Sequence, residues 1–497
     1  MRRRAGLAVA ACLIVASCSA TGSGDDASST RDRTSAPATP GAPTTTAPAD
    51  EPPASGEGDP LPDDVSDRTF PGLGDPRIDV SKQVVRVTAA PEVDEIEGRA
   101  RLTLRSTVDE PLAGFTLGLR GPEVTKVSVD GEAARSSASD GELTIVPATP
   151  LAPDTDVEVD ISYAGVPDQT EFPGWGMPVG WQGDEEGGWF TMSEPDGTAT
   201  WVPVNDHPSD KASWTISIDV PKGVSAIANG RLSGGKPTRT EGGRDRWTWV
   251  ETEPMASYLV LVAVGDYDLV QSTHGSVRVA RAFPASMGDD ERSAFDPIEE
   301  ILDYFSSQFG TYPNDDAGAI VVPTELGLAL ETQTRPLFGT DGVMGDSAPA
   351  LAHELAHQWF GDAVSPETWR DVWLNEGFAT YADWMWQAHE GGRPVDDVAT
   401  RTARSSPVED LAVRDPRSAS QFSAAVYEGG ALALHALRKT VGDEVFFRIV
   451  RRWVTTYDGR SAGTGDLVAI ASDESGEDLA TFFDEWLDQA PQPALPR

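Results

Sequence analysis

The hydrophobic residues of this chain change period once, near Gly265, and that change dictates two kinds of layer in a fixed order. From about Phe70 to Gly265, apolar and polar residues alternate in short runs. Val84-Val85-Arg86-Val87-Thr88, Val157-Glu158-Val159-Asp160-Ile161 and Trp214-Thr215-Ile216-Ser217-Ile218 are examples, separated by Gly, Pro and Asp clusters. A period of two belongs to strands with one buried face, so this stretch predicts an antiparallel β-sandwich or saddle. Trp175, Trp181 and Trp189 fall in a Gly-rich stretch and read as loop-packing residues. Beyond Gly265, Phe295, Ile298, Ile301, Leu302 and Phe305 recur at helical spacing across Asp289 to Phe309, behind a first turn rich in acids. A short strand at Ala317 to Pro323 and helices near 347–361, 369–389 and 424–440 follow. The expected fold class is therefore α+β and multidomain, with a β domain over 69–264 and a mostly α domain over 265–497.

Composition narrows the partners. With 39 basic against 80 acidic residues, a formal net charge of −41 excludes nucleic acid and anionic bilayer surfaces, which need clustered Lys and Arg. Both cysteines, Cys12 and Cys18, stand at the extreme N-terminus, so no internal disulfide staples the folded body. Its stability rests on its core and on any metal it holds.

The N-terminus reads as an address. Met1-Arg2-Arg3-Arg4 precedes an apolar run from Ala5 to Ser17 that is shorter than the ~20 residues of a membrane span but suits a signal peptide over 1–17. Val15-Ala16-Ser17-Cys18 resembles a bacterial lipobox, in which cleavage precedes the cysteine and Cys18 is acylated. From Ser19 to about Pro60 the chain has no aromatic or branched aliphatic residue, so 18–68 is expected to be a disordered tether, with a reach of roughly 40 Å. The expected location is outside the cell, lipid-anchored on the outer face of the cytoplasmic membrane.

The chemistry concentrates in the α-rich half. His353-Glu354-Leu355-Ala356-His357 lies within the helix expected at 347–361, with Asp346 or Ser347 as its cap and Pro349 in its first turn. Residues four apart share one helical face, so both imidazoles reach one ion, while Glu354 is offset and faces a water instead. A third ligand is expected from the next helix. Glu376, in Trp373-Leu374-Asn375-Glu376-Gly377, follows His357 after eighteen intervening residues, and a turn through Gly361 to Glu367 folds one helix back on the other. Two His and one Glu leave a tetrahedral zinc with an open position, the mark of a catalytic site.

His353-Glu354-Leu355-Ala356-His357-Gln358-Trp359-Phe360-Gly361-Asp362, with Trp373 to Tyr381, resembles the gluzincin aminopeptidases of the aminopeptidase N and leukotriene hydrolase family. The resemblance runs from about residue 75 to the C-terminus. It implies a saddle-shaped β domain, a thermolysin-like catalytic domain whose helical close spans Phe446 to Leu487, and one zinc held by His353, His357 and Glu376. It implies no counterpart of the large C-terminal helical domain found in many members. Val426-Tyr427-Glu428-Gly429-Gly430 resembles the segment whose tyrosine stabilises the tetrahedral intermediate, which points to Tyr427 beside Glu354 as a catalytic residue. Leu328-Ala329-Leu330-Glu331-Thr332 stands where the family shows Gly-Ala-Met-Glu-Asn, so Glu331, together with Glu194 of Met192-Ser193-Glu194-Pro195, is implied to bind the substrate amine. Thr332 and Leu328 depart from that pattern. Trp201 to Pro208 departs too, and leaves His207 a structural residue. The implied function is a zinc aminopeptidase acting on peptides. Its rivals are a zinc endopeptidase with relaxed amine selection and a catalytically silent peptide-binding surface lipoprotein.

Overall fold

In the computed structural model, which describes residues 69–91, 93–171, 178–343, 348–405, 411–414, 416 and 420–496, alternation becomes strand pairing. Ile78–Ala90 and Val93–Ser106 form a long hairpin with Val85 opposite Ala100 and Val87 opposite Gly98. Val80, Val85, Val87 and Ala89 point inward while Lys82 and Arg86 point out. Each valine so buried contributes about 1.5–3 kcal/mol. The hairpin sits centrally in a nine-stranded sheet, between Lys211–Val220 on one side and Val157–Gly165 on the other.

This sheet is mixed rather than purely antiparallel. Ile78–Ala90 runs parallel to Lys211–Val220, with Val85 opposite Ile216. More than a hundred residues separate the two strands, so the chain has room to return in the same direction, and alternation carries no information about strand direction. A second, five-stranded sheet contains Pro178–Gly183 and Trp189–Met192 as antiparallel neighbours. Trp181 and Trp189 thus lie on strands, not in a loop. Their rings stand 6.1 Å apart, and Trp181 also packs on Trp201 at 5.8 Å, so the packing role holds although the expected setting does not. Trp175, Asp346, Ser347, Cys18 and everything before Thr69 lie outside the described residues.

Strand pairing switches between Gly265 and Tyr267. Val262–Gly265 belongs to the five-stranded sheet just described, whereas Tyr267–His274 opens another, ordered Tyr267–His274, Val277–Pro284, Asp316–Val321, Leu337–Phe338, Ala329–Leu330. Helices follow or interrupt it: α1 (Asp289–Arg292), α2 (Ile298–Phe309), α3 (Ala348–His357), α4 (Trp373–His389), α5 (Val395–Ser405), α6 (Ala424–Val441), α7 (Asp443–Tyr457), α8 (Thr464–Ser475) and α9 (Ala480–Leu487). The single helix expected across Asp289 to Phe309 is broken. Pro297 has no N–H to continue the ladder, so a 3-10 turn at Ser293–Phe295 separates α1 from α2.

Two glycines set the helix spacing that matters most. A Cβ on Gly377 of α4 would lie 2.9 Å from the Cα of Gly430 in α6, and a Cβ on Gly430 would lie as close to the Cα of Gly377. The backbones touch there, one residue from Glu376 and one turn from Tyr427. Gly430→Ala must therefore push α6 away from α4. We expect a loss of about 1–3 kcal/mol in thermal unfolding, together with a fall in activity. A variant that melts at the wild-type temperature would show that the helices part without strain.

Candidate active site

α3 presents His353 and His357 on one face, with ring centroids 4.8 Å apart. Both Nε2 atoms are directed at the same carboxylate oxygen, Glu376 Oε2, at 3.4 Å and 3.5 Å. His357 Nδ1 lies 3.1 Å from the Phe360 carbonyl. A carbonyl can only accept, so Nδ1 carries a proton and Nε2 is the nitrogen that can offer a lone pair to a metal once the imidazole is neutral. Glu376, in the first turn of α4, is 2% exposed, and its Oε2 has no hydrogen-bond partner.

The turn that returns the chain from α3 to α4 is held from several sides. Gly361 takes φ +121°, and a Cβ there would sit 3.1 Å from the Asn375 side chain, so the turn needs glycine. Tyr258 Oη donates to the Gly361 carbonyl at 2.9 Å, and Lys211 Nζ donates to the carbonyls of Asp362 and Ala363 at 2.6 Å and 2.9 Å. Both side chains come from the β half of the chain. No motif in the sequence distinguishes them, because their role depends on contacts more than a hundred residues away.

Three further acids converge on the same spot. Glu331 follows the edge strand Ala329–Leu330, and its Oε1 lies 4.0 Å from His357 Nδ1. Glu194 arrives from the end of Trp189–Met192. One oxygen from each of Glu194, Glu331 and Glu376 falls within 4.8 Å of the others, as do ligand atoms of Glu331, Glu354 and His357. Tyr427 in α6 lays its ring parallel to that of His353, 7° from coplanar and 5.9 Å away. Every described residue singled out by motif or resemblance as metal-binding, catalytic or amine-binding is therefore in one cluster, buried except for half-buried His353 and Tyr427. His207 is elsewhere, partnered locally by Ser209 at 2.7 Å, as a structural residue should be.

The likeness to known proteins agrees with this arrangement. The Peptidase M1 N-terminal domain pattern matches residues 86–259, and the Peptidase family M1 domain pattern matches residues 294–486. The chain belongs to peptidase family M1. Among solved structures, the M1 zinc metallopeptidase of Deinococcus radiodurans, as a variant bound to a Tyr-Ser-Ala substrate, is 31% identical with a TM-score of 0.81, covering 87% of this chain and 99% of that one. The same organism's enzyme in another structure gives 30%, a TM-score of 0.79, and 87% and 98% coverage. Aminopeptidase N of Streptomyces lividans is 26% identical over 79% of this chain and 48% of its own length. Aminopeptidase 2 of Candida albicans is 29% identical over 60% of this chain and 34% of its own. The chain spans about a third to a half of the length of these curated relatives.

The electrostatics of this M1 peptidase show what the cluster lacks. Four carboxylates are buried against two imidazoles. Burial pushes Glu194 and Glu354 well above the usual carboxylate range, with neighbouring acids adding to the shift, and burial raises Glu331 despite His357 beside it. Burial lowers His353. It works against protonated His357 too, yet Glu331 and Glu376 hold that imidazole well above its ordinary value. For Glu376 burial also opposes charge, but His357 and His353 bring it down to about 2. Glu194 Oε1 and Glu331 Oε1, like Glu376 Oε2, have no hydrogen-bond partner. Buried carboxyl oxygens without partners lose their proton only where a cation offsets the charge, and this cluster gathers several of them. Two imidazole nitrogens and one carboxylate oxygen are the donor set of a catalytic zinc, and the orphaned Oε2 stands where one would bind.

The two departures on either side of Glu331 also acquire positions. Thr332 turns its hydroxyl into its own turn, donating to the Arg335 carbonyl at 2.6 Å. Leu328 packs partly buried against the core.

Proposed function

We propose that this M1 peptidase is a zinc aminopeptidase that removes the first residue of peptides. The observation that carries the reading is the pair of buried, unpartnered oxygens of Glu194 and Glu331 beside Glu376. Carboxylates in that setting give charge-assisted hydrogen bonds to an α-ammonium, which a chain interior lacks. Gripping that group brings only the first peptide bond to the metal residues.

His353, His357 and Glu376 would hold the zinc. A zinc there supplies a Lewis acid that polarises the peptide carbonyl and brings the pKa of water toward about 7. Glu354, buried and therefore a stronger base than a solvated glutamate, takes the proton of the attacking water and delivers it to the leaving nitrogen. Burial, together with Glu376 and its neighbours, keeps the Tyr427 phenol protonated, so it donates a hydrogen bond to the carbonyl oxygen as charge develops there.

The test is a pair of peptides identical except for N-acetylation. The free peptide should be cleaved and the acetylated one should be a poor substrate. Equal cleavage of both would favour a zinc endopeptidase, and cleavage of neither would favour a silent peptide-binding lipoprotein. Purified protein should contain one zinc per chain, and chelation should abolish turnover while circular dichroism retains most of the signal, because the core is large without the metal. Full activity at zero zinc would refute the assignment.

Export and a lipid anchor at Cys18 belong to the same proposal, supported by the lipobox-like Val15-Ala16-Ser17-Cys18. Among the described residues no helix is long and apolar enough to cross a membrane. Cys18→Ser should move the protein from the membrane fraction to the soluble one at unchanged specific activity. Retention of the variant in the membrane fraction would place the attachment elsewhere.

A further inference from the structure

We propose that Gln358, the residue directly after the HExxH motif, is a positioning residue that registers Glu331 against the metal helix by clamping a strained turn. That role presupposes that Glu331 grips the substrate amine, as proposed above.

Gln358 is 0% exposed, and its amide is used at both ends. Its Oε1 accepts the Thr334 N–H at 2.7 Å, and its Nε2 donates to the Glu331 carbonyl at 3.3 Å. The residues between form a tight turn closed by Arg335 N–H to the Thr332 carbonyl at 3.0 Å. Within it Thr334 takes φ +65°. A β-branched residue enters that left-handed region rarely, and stays only where its surroundings over-determine it.

The surroundings do so. Thr334 Oγ1 accepts the Gly230 N–H at 2.8 Å, and the Asn229 side-chain amide donates to the Gln333 carbonyl at 2.8 Å. Buried Arg335 donates to the carbonyls of Ala228, Gly230 and Ala280, with its guanidinium 4.7 Å over the Trp249 ring. The far end of the turn is thereby bolted to the β half of the chain, while Gln358 ties its near end to α3. Glu331 Oε1 finds no hydrogen-bond partner of its own. Backbone placement therefore decides where that carboxylate stands, and the backbone is held from the residue next to His357. One side chain thus links the distance between amine and metal to the helix that carries two of the metal-binding residues.

The decisive variant is Gln358→Met, nearly isosteric and unable to make either bond, measured in the full zinc-loaded chain with a free and an N-acetylated peptide of one sequence. Zinc content should stay at one per chain. For the free peptide kcat/KM should fall roughly 100-fold, as expected for a reacting group misplaced by about 1 Å, with KM raised. The acetylated peptide should lose far less, so the selectivity ratio collapses. A purely structural role would lower both peptides in proportion or strip the zinc, and either result overturns the proposal. Gln358→Asn keeps the amide on a side chain one methylene too short to span Thr334 and Glu331, so its ratio should fall between those of the wild type and the Met variant. If the Met variant does not fold, a wild-type ratio in the Asn variant overturns the proposal by itself. Equal wild-type cleavage of both peptides would instead remove the aminopeptidase reading, and the clamp with it.

Discussion

Glu354→Gln is expected to lower kcat by about 100- to 10,000-fold while one zinc per chain remains bound. The substitution is nearly isosteric, and Glu354 stands outside the trio formed by His353, His357 and Glu376. The metal site should therefore survive. An amide cannot take up and release a proton, so the base is lost while the pocket keeps its shape. The acidic limb of the kcat/KM profile, which reports the free enzyme's base, should go with it. Turnover close to wild type with zinc in place would assign the base to another group.

The second large effect belongs to the pair proposed to bind the amine. Losing one partner of a desolvated charge pair costs about 2–5 kcal/mol, so Glu331→Ala should reduce kcat/KM for free peptides by roughly 30-fold to several thousand-fold. Part of the loss should appear in kcat, because the same contact aligns the scissile carbonyl. Glu194→Ala should behave alike. On the proposal that the two oxygens share one ammonium group, the double variant should lose less than the sum of the single losses in free energy. N-acetylated peptides should be nearly indifferent to either change. Additive losses would mean that the two acids contact different parts of the substrate.

The legible parts of this site were those governed by local geometry. His353 and His357 stand on one face because residues four apart on a helix must, and Glu376 follows once Gly361 turns the chain back. Glu194, Glu331 and Tyr427 were legible only through resemblance, since a lone acid or phenol carries no period. The rest depended on long-range contacts. Alternation could not tell that Ile78–Ala90 would meet Lys211–Val220 in parallel, nor that Trp181 and Trp189 would sit on strands. Helical spacing across Asp289 to Phe309 outweighed the missing N–H of Pro297 in the reading, although not in the fold. α5 buries little but Ala399, so a short polar helix left almost no apolar signal. Gln358 was visible beside the motif, but nothing in the sequence announced that Thr334 would take a left-handed backbone for it to hold.

Glu194 reaches the cluster from the β half of the chain, whereas the residues proposed for hydrolysis come from α3, α4 and α6. On the proposed mechanism, breaking a peptide bond and finding the end of a peptide are thus separate inheritances. Residues 265–497 contain the metal trio and the base, but only one of the two acids that recognise a terminus. Changes in the β half can then redefine which peptides are accepted, and how strictly their ends are counted, without touching an atom that takes part in the reaction.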